Sequence, residues 1–307
     1  MLKAERTTIA CFVLPVRPAA LAKTMTDLFD FHKQKRCFAV VGHPVAHSRS
    51  PQIHEDFARQ CGVSLSYEAI ALDPGAFEQG IRNIRAGGIA GANVTVPFKQ
   101  AAWRLADKLT DRAQLAQAVN TLSFSADDVI HGDNTDGVGL MCDIQKNLGF
   151  SCAGARVLVV GAGGAARGIF QPLLDSGPGE LVIANRTLSR ARELLAAFAS
   201  PIGSTACNLE DLSSHAFDLV INATAASLMG EVPDLPNGIF ANGALAYDLA
   251  YADQPTPFMR WAMDAGAVRA VDGLGMLVEQ AAESFWIWHQ HRPETAPVIS
   301  ALRSGSR

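Results

Sequence analysis

Two sets of residues carry the chemistry that can be read from this sequence. The first is Gly161-Ala162-Gly163-Gly164-Ala165-Ala166, a G-x-G-x-x-A string directly after the apolar run Val157-Leu158-Val159-Val160. The first glycine permits a tight turn, and the second lets the backbone approach a pyrophosphate. The small Ala166 lets the following helix pack close to its strand. A helix opening there offers free N–H groups and the positive end of its dipole to a phosphate. Such a string alone is weak. Here a strand precedes it, a helix follows and a second strand comes next, the context that a dinucleotide site requires.

The end of that second strand chooses the dinucleotide. A site for NAD usually places Asp or Glu there, on the ribose 2′-hydroxyl. This chain has Asn185-Arg186-Thr187 and then Arg190. Two guanidiniums can hold a 2′-phosphate by charge and paired hydrogen bonds, and no carboxylate at 185 opposes it. The alternative is a pair of solvated arginines at a helix start, where positive charge is disfavoured unless an anion is present.

The second set lies in the first half. Lys99 follows Asn93-Val94-Thr95-Val96-Pro97-Phe98 at a strand-to-helix turn, and ligands of α/β sheets bind beyond the carboxyl ends of strands. Asp136 sits in Gly132-Asp133-Asn134-Thr135-Asp136-Gly137, at another helix start, where a plain capping role is equally open to it. The same alternative applies to Ser48 and Ser50, just before Pro51.

Short apolar runs alternate with helical stretches through most of the chain. Strands are expected at 37–41, 65–72, 89–96, 121–124 and 129–131, the last two as a hairpin around residues 126–128. Helices are expected from Ser50, with Pro51 in its first turn, and over 74–85, 98–106 and 136–148. A second series gives strands at 157–160, 181–184, 219–222, 245–249 and 268–271. Its helices fall at 165–174, 189–198 and 256–264, and a long last helix runs over 274–289. Alternation of this kind implies parallel sheets.

Composition narrows the partners. The 307 residues are 49% hydrophobic, enough for sizeable cores. With 26 basic against 30 acidic residues and no basic stretch, nucleic acid is not expected as a partner. No apolar run approaches the ~20 residues of a membrane span. The six cysteines form no C-x-x-C pair and read as buried or free thiols of a reducing cytoplasm. His43, His47 and His54 are separated by Pro44 and Pro51 from any common helical face, so no metal site is expected. Phe285, Trp286 and Trp288 are expected to pack in a core. Residues 1–36 read as a flexible extension, or as the result of an upstream start with Met25 as the true beginning; the apolar stretch after Lys3 and Arg6 is broken too early for a secretory signal.

Taken in order, several motifs resemble those of the shikimate dehydrogenases. They are Ala46-His47-Ser48-Arg49-Ser50-Pro51, the segment Gly91 to Lys99, Ala118-Val119-Asn120-Thr121, Gly132 to Gly137, the glycine turn, Asn185-Arg186-Thr187, and Asp272-Gly273-Leu274-Gly275-Met276-Leu277. The resemblance spans about residues 37–300. It implies an NADP-dependent reduction of 3-dehydroshikimate to shikimate, a step in making aromatic amino acids. It implies a two-domain α/β fold: a mostly parallel substrate domain over 37–136, completed by 274–307, and a Rossmann-type NADP domain over 137–273. Ser48 and Ser50 would hold the substrate carboxylate, with Tyr251 near it. Thr95, Asn120, Asp136 and Gln280 would bind hydroxyls. Lys99, paired with Asp136, would move the proton. Gly161, Ala162, Gly163, Gly164 and Ala165, with Asn185, Arg186, Thr187, Arg190 and Leu249, would hold NADP; Asp111 and Gly273 would lie near its nicotinamide half.

One departure stands out. After Asn222-Ala223-Thr224 the family usually has Ser or Pro and soon a glycine, whereas this chain continues Ala225-Ala226-Ser227. A broader quinate and shikimate dehydrogenase tolerating NAD, and a non-catalytic NADP-responsive protein, are the competing readings. Arg186 and Arg190 speak against the first, and the presence of both Lys99 and Asp136 against the second. The sequence does not report oligomeric state; a homodimer is compatible with it.

Overall fold

A computed structural model describes residues 35–198 and 203–305. The expected N-terminal extension lies almost wholly outside that range, and Arg36 already belongs to the first strand.

The first half forms one sheet. Its elements are β1 (Arg36–Gly42), α1 (Ser50–Cys61), β2 (Leu65–Ala71), α2 (Phe77–Ala86), β3 (Ile89–Val94), α3 (Lys99–Leu105), β4 (Lys108–Leu109), α4 (Asp111–Ala116), β5 (Thr121–Phe124) and β6 (Ile130–Asp133). The strand order is β2-β1-β3-β5-β6-β4. The β1 pairings with β2 and β3 are parallel, and the expected β5–β6 hairpin is antiparallel. Because β3 ends between β1 and β5, the residues just after it emerge near the middle of the sheet.

Helix α5 (Asp136–Cys142) leads into the second sheet through a wider turn, Asp143–Asn147, where the Leu148 N–H donates to the Asp143 carbonyl five residues back at 2.9 Å. The periodicity predicts one α-helix to residue 148. The helix instead widens there, and the carboxylate of Asp143 accepts from the Tyr247 hydroxyl at 2.5 Å; single wide turns of this kind occur in α-helices.

The second sheet comprises β7 (Arg156–Val160), α6 (Gly164–Asp175), β8 (Glu180–Ala184), α7 (Leu188–Ala197), β9 (Ser204–Cys207), β10 (Phe217–Asn222), β11 (Phe240–Asp248), α8 (Pro257–Asp264) and β12 (Arg269–Val271). Its order is β12-β11-β10-β7-β8-β9, all parallel. Val157, Leu158, Val159 and Val160 are all fully buried. Helices cover both faces of such a strand, which is why it reads as an unbroken apolar run rather than an alternation. Strand order reverses between β7 and β10, and ligands of this architecture bind at that switch point, beyond the carboxyl ends.

Helix α9 (Leu274–His289) returns to the first sheet, followed by α10 (Ala296–Ser304). Trp288 stacks on Phe38 at 4.6 Å and Phe285 meets Phe57 edge-on at 5.8 Å, so these two are core residues as expected. Trp286 is only half-buried and lies under the Arg292 guanidinium, 4.8 Å from the ring centre. Helix α9 also packs on α5 at close range: a Cβ on Gly139 would fall 2.8 Å from the Gln280 backbone nitrogen. That contact ties Gln280 to the helix that Asp136 opens.

Candidate active site

Lys99 is the first residue of α3 and Asp136 the first of α5, each held at a carboxyl end of the first sheet. The Lys99 Nζ donates to Asp136 Oδ2 at 2.6 Å, with the side chains only 15% and 4% exposed. Asp136 is not a helix cap, since Thr135 occupies that position. Its backbone N–H donates to Asn134 Oδ1 at 3.1 Å, and Asn134 in turn donates to the Ala118 carbonyl at 2.8 Å. The carboxylate is therefore fixed from its own backbone outward.

Asn120 completes this centre. Its Nδ2 donates to Asp136 Oδ1 at 2.9 Å and to Gln280 Oε1 at 3.0 Å. Lys99, Asp136, Asn120 and Gln280 thus meet in one place, although they come from α3, α5, the residue before β5 and α9. Thr95 lies four residues before Lys99, beyond β3, where its N–H donates to the Val41 carbonyl at 2.9 Å and its γ-methyl fills the space beside Gly42.

Ser48 and Ser50 precede and open α1. The cap position belongs to Arg49, without a side-chain cap bond, and Ser50 is the first helical residue. The Ser50 N–H donates to Ser48 Oγ at 3.2 Å, which shifts the cap by one residue from the sequence expectation. Tyr251 reaches across from beyond β11: its hydroxyl accepts from the Arg49 N–H at 3.5 Å and lies beside Ser48. Burial pushes the Tyr251 phenol up, against the pull of Arg49 and Ser48, so it stays protonated.

The glycine turn faces this cluster. Gly161, at φ 109°, occupies the left-handed region that favours glycine, and a Cβ there would press within 3.2 Å of the Ala223 backbone. Gly163 faces open space. A Cβ on Gly164 would lie 3.2 Å from the Lys99 Cβ. The turn that could cradle a pyrophosphate is therefore in contact with the lysine stem.

Asn185 folds back onto the Thr187 carbonyl at 2.8 Å, shaping the loop after β8. Arg186 and Arg190 are exposed there, and neither pairs with a carboxylate among the described residues. Leu249 and Gly273 meet at the ends of β11 and β12, with Gly273 pressed against the Leu249 carbonyl. The residues present fit a 2′-phosphorylated dinucleotide: a cradle lacking side chains, a helix end above it, and two unpaired guanidiniums one strand away. Asp111 is the exception. It is exposed at the start of α4 and shares no hydrogen bond or ion pair with the others among the described residues. No group of three or more His, Cys, Asp or Glu among the described residues is arranged to hold a metal.

Three family descriptions match in order along the chain: the shikimate dehydrogenase substrate binding domain over residues 40–122, shikimate / quinate 5-dehydrogenase over 143–230, and the shikimate 5′-dehydrogenase C-terminal domain over 273–303. A shikimate dehydrogenase (NADP(+)) from Nitrosospira multiformis is 54% identical over 267 residues, covering 87% of this chain and 97% of its own. This chain belongs to the shikimate dehydrogenase family. Among solved structures, the Ael1 enzyme from Pseudomonas putida aligns with a TM-score of 0.80 at 45% identity, covering 87% of this chain and 98% of its own. The shikimate 5-dehydrogenase from Thermus thermophilus, solved with NADP(H) and shikimate, aligns with a TM-score of 0.76 at 33% identity, covering 88% and 99%.

The loop that departs from the usual family pattern is nonetheless well held. Ser227 donates to Asp248 Oδ2 at 2.6 Å, and Thr224 to Asn222 Oδ1 at 2.7 Å. Asp248 also accepts from Thr256 at 2.6 Å and from Asn222 at 3.0 Å. Burial pushes this carboxyl up while these donors pull it back. A glycine does follow, as Gly230 at φ 78°, closing the short turn.

Sequence reasoning missed the polar residues behind Asn120. Tyr67, Asn93, Thr121 and Ser284 are all buried and hydrogen-bonded to one another or to Asn120. The available signal was Asn93 itself, an amide inside an otherwise apolar strand, which demands buried partners.

Proposed function

We propose that this protein catalyses the reversible, NADP-dependent interconversion of 3-dehydroshikimate and shikimate. The observation that carries the reading is the Lys99–Asp136 pair at 2.6 Å with the glycine turn against the lysine stem. An ammonium beside a dinucleotide cradle suits the alcohol–ketone couple, because its proton can follow or precede charge on the oxygen.

The substrate domain is assigned to residues 37–136, completed by 274–307, and the NADP domain to 137–273. In the first, Ser48 and Ser50, with the Tyr251 hydroxyl beside Ser48, take the substrate carboxylate. Thr95, Asn120, Asp136 and Gln280 take its hydroxyls. In the second, Gly161 to Ala165 cradle the pyrophosphate, and Asn185, Arg186, Thr187 and Arg190 take the 2′-phosphate. Leu249 and Gly273 border the nicotinamide side, and Asp111 is assigned there through the packing of α4 on α6.

When bound, the cofactor supplies or accepts the hydride. In the reducing direction Lys99 stabilises negative charge developing on the C3 oxygen and donates a proton to it. In the oxidising direction it accepts that proton. Asp136 orients the Lys99 ammonium through Oδ2 and is itself oriented through Oδ1 by Asn120. None of the five cysteines among the described residues is in a disulfide, which supports a reducing, cytoplasmic setting.

The test is formation of the reduced dinucleotide, NADPH or NADH, by purified protein with shikimate or quinate, and with NADP or NAD. Turnover of shikimate with NADP as the preferred pair is expected. Preference for quinate or for NAD, or no turnover of either acid, overturns the assignment.

A further inference from the structure

We propose that Tyr67, Asn93, Thr121 and Ser284 form a one-directional hydrogen-bond chain that fixes the side-chain amide of Asn120, with the Tyr67 hydroxyl as its remote anchor; this rests on the reading of Asn120 and Asp136 as site residues.

The direction follows from groups that cannot reverse. The backbone N–H of Thr135 can only donate, and it meets Asn120 Oδ1 at 2.8 Å. A flipped Asn120 would set Nδ2 against that N–H and its oxygen against Asp136 Oδ1, now 2.9 Å from Nδ2. Asn93 is fixed in the same way. Its Nδ2 lies 3.2 Å from the Asn120 carbonyl, which can only accept. A flip would oppose two oxygens there. Amide orientation is assigned from such partners.

With both amides fixed, the hydroxyl protons fall into line. Tyr67 donates to Asn93 Oδ1 at 2.7 Å. One Asn93 Nδ2 proton goes onward to Ser284 Oγ at 2.9 Å, and the other is shared between the Asn120 carbonyl and Thr121 Oγ1, each at 3.2 Å. Thr121 donates to Asn120 Oδ1 at 2.9 Å, and the Ser284 proton goes to the Gln280 carbonyl at 3.1 Å, one turn back in α9. Asn120 Nδ2 then donates to Asp136 Oδ1. Each donor points toward the site, so each bond polarises the next in the same sense.

Every member of the chain is at most 6% exposed, so water cannot replace a lost partner. The anchor is held independently of the site. His54 stacks on the Tyr67 ring at 4.2 Å and 8° between planes. Burial pushes the Tyr67 phenol well above its ordinary range, so the hydroxyl remains a donor. Tyr67, Asn93, Thr121 and Ser284 are accordingly positioning residues: they act on substrate through Asn120 and the Gln280 backbone.

The experiment uses Tyr67→Phe in the full-length protein, which keeps the ring and removes the proton. One lost neutral hydrogen bond corresponds to a change of about three- to tenfold. The kcat/KM for shikimate is expected to fall by that factor, with the KM for NADP close to wild type. Thr121→Val should reproduce the selective loss from the other end of the chain, and Thr121→Ser should restore it. A lowered melting temperature with an unmoved kcat/KM for shikimate in both Tyr67→Phe and Thr121→Val overturns the proposal. Should Tyr67→Phe fail to fold, the Thr121 pair decides. Wild-type protein that does not oxidise shikimate would sink the functional reading and this chain with it. Wild-type turnover with unselective variants would sink the chain alone.

Discussion

Gly168 and Asp136 are in contact: a methyl group on Gly168 would lie 2.8 Å from Asp136 Oδ2, the oxygen that pairs with Lys99. The helix that opens on the glycine turn therefore also limits where the carboxylate can stand. Gly137 meets the same helix at Pro172, so α5 and α6 approach through two glycines. The distance between the glycine turn and the Lys99–Asp136 pair is set by this packing rather than by a flexible linker.

Gly168→Val follows directly. The branched side chain must push Asp136 off Lys99, and a displacement of about 1 Å at a reacting centre costs on the order of 10²-fold in rate. A kcat near wild type in a folded variant would show that the carboxylate has room to move.

Arg186→Ala should change cofactor choice. Losing a charge-assisted contact to a phosphate costs about 1.5–3 kcal/mol, or roughly ten- to a hundredfold in affinity. The KM for NADP should rise by that factor while the KM for NAD, which has no 2′-phosphate, stays put. Equal changes for both would place the guanidinium elsewhere.

His54 makes stability depend on acid. Burial, with His289 nearby, pushes its pKa from 6.5 down to about 3. Below pH 6.5 the unfolded chain binds a proton that the folded one refuses, so stability falls as pH drops from 6.5 toward 3 and is unaffected above. The loss at pH 5 is about 2 kcal/mol. His54→Phe should flatten this part of the curve of melting temperature against pH. Some slope will remain, because burial also lowers His289, to about 4. An unchanged slope would mean that His54 takes up its proton without unfolding.

Arg112 ties α4 to both β6 and α9. It meets Asp133 through two bonds of 2.6 and 2.9 Å and Glu283 at 3.2 Å. Burial pushes the Asp133 carboxyl up, but Arg112, together with the Thr110 hydroxyl and the Asn134 N–H, more than offsets this and holds it below the usual range. Arg112→Leu strands that carboxylate and should destabilise by about 2 kcal/mol, less than a fully buried pair because the guanidinium is partly exposed. Adding Asp133→Asn should recover part of the loss in urea unfolding; full additivity of the two changes would contradict the pairing.

Much of the scaffold was legible because the strands of the second sheet are buried on both faces, so Val157 to Val160 and Leu181 to Ala184 stand out as apolar runs. The glycine turn was legible for a related reason: backbone approach leaves a residue-type signature. What was not legible was convergence. Lys99, Asn120, Asp136 and Gln280 are brought together by strand order and by the return of α9, which local pattern does not encode; only the family resemblance joined them. Short elements such as the two-residue β4 have no period to read. Ser50 looked like a cap because Ser before Pro usually is one, yet its N–H turns to Ser48 instead. The buried chain behind Asn120 escaped notice because one polar residue in an apolar strand does not say where its partners lie.

The central claim is that the Lys99 ammonium moves the proton while the glycine turn and its arginines hold the cofactor. The most direct test is Lys99→Ala, reading kcat with shikimate beside the Kd for NADP. The account predicts a fall in kcat of about 10²- to 10⁴-fold with NADP binding unchanged within roughly twofold. A variant that retains kcat, or that loses kcat and NADP affinity in equal measure, would contradict it.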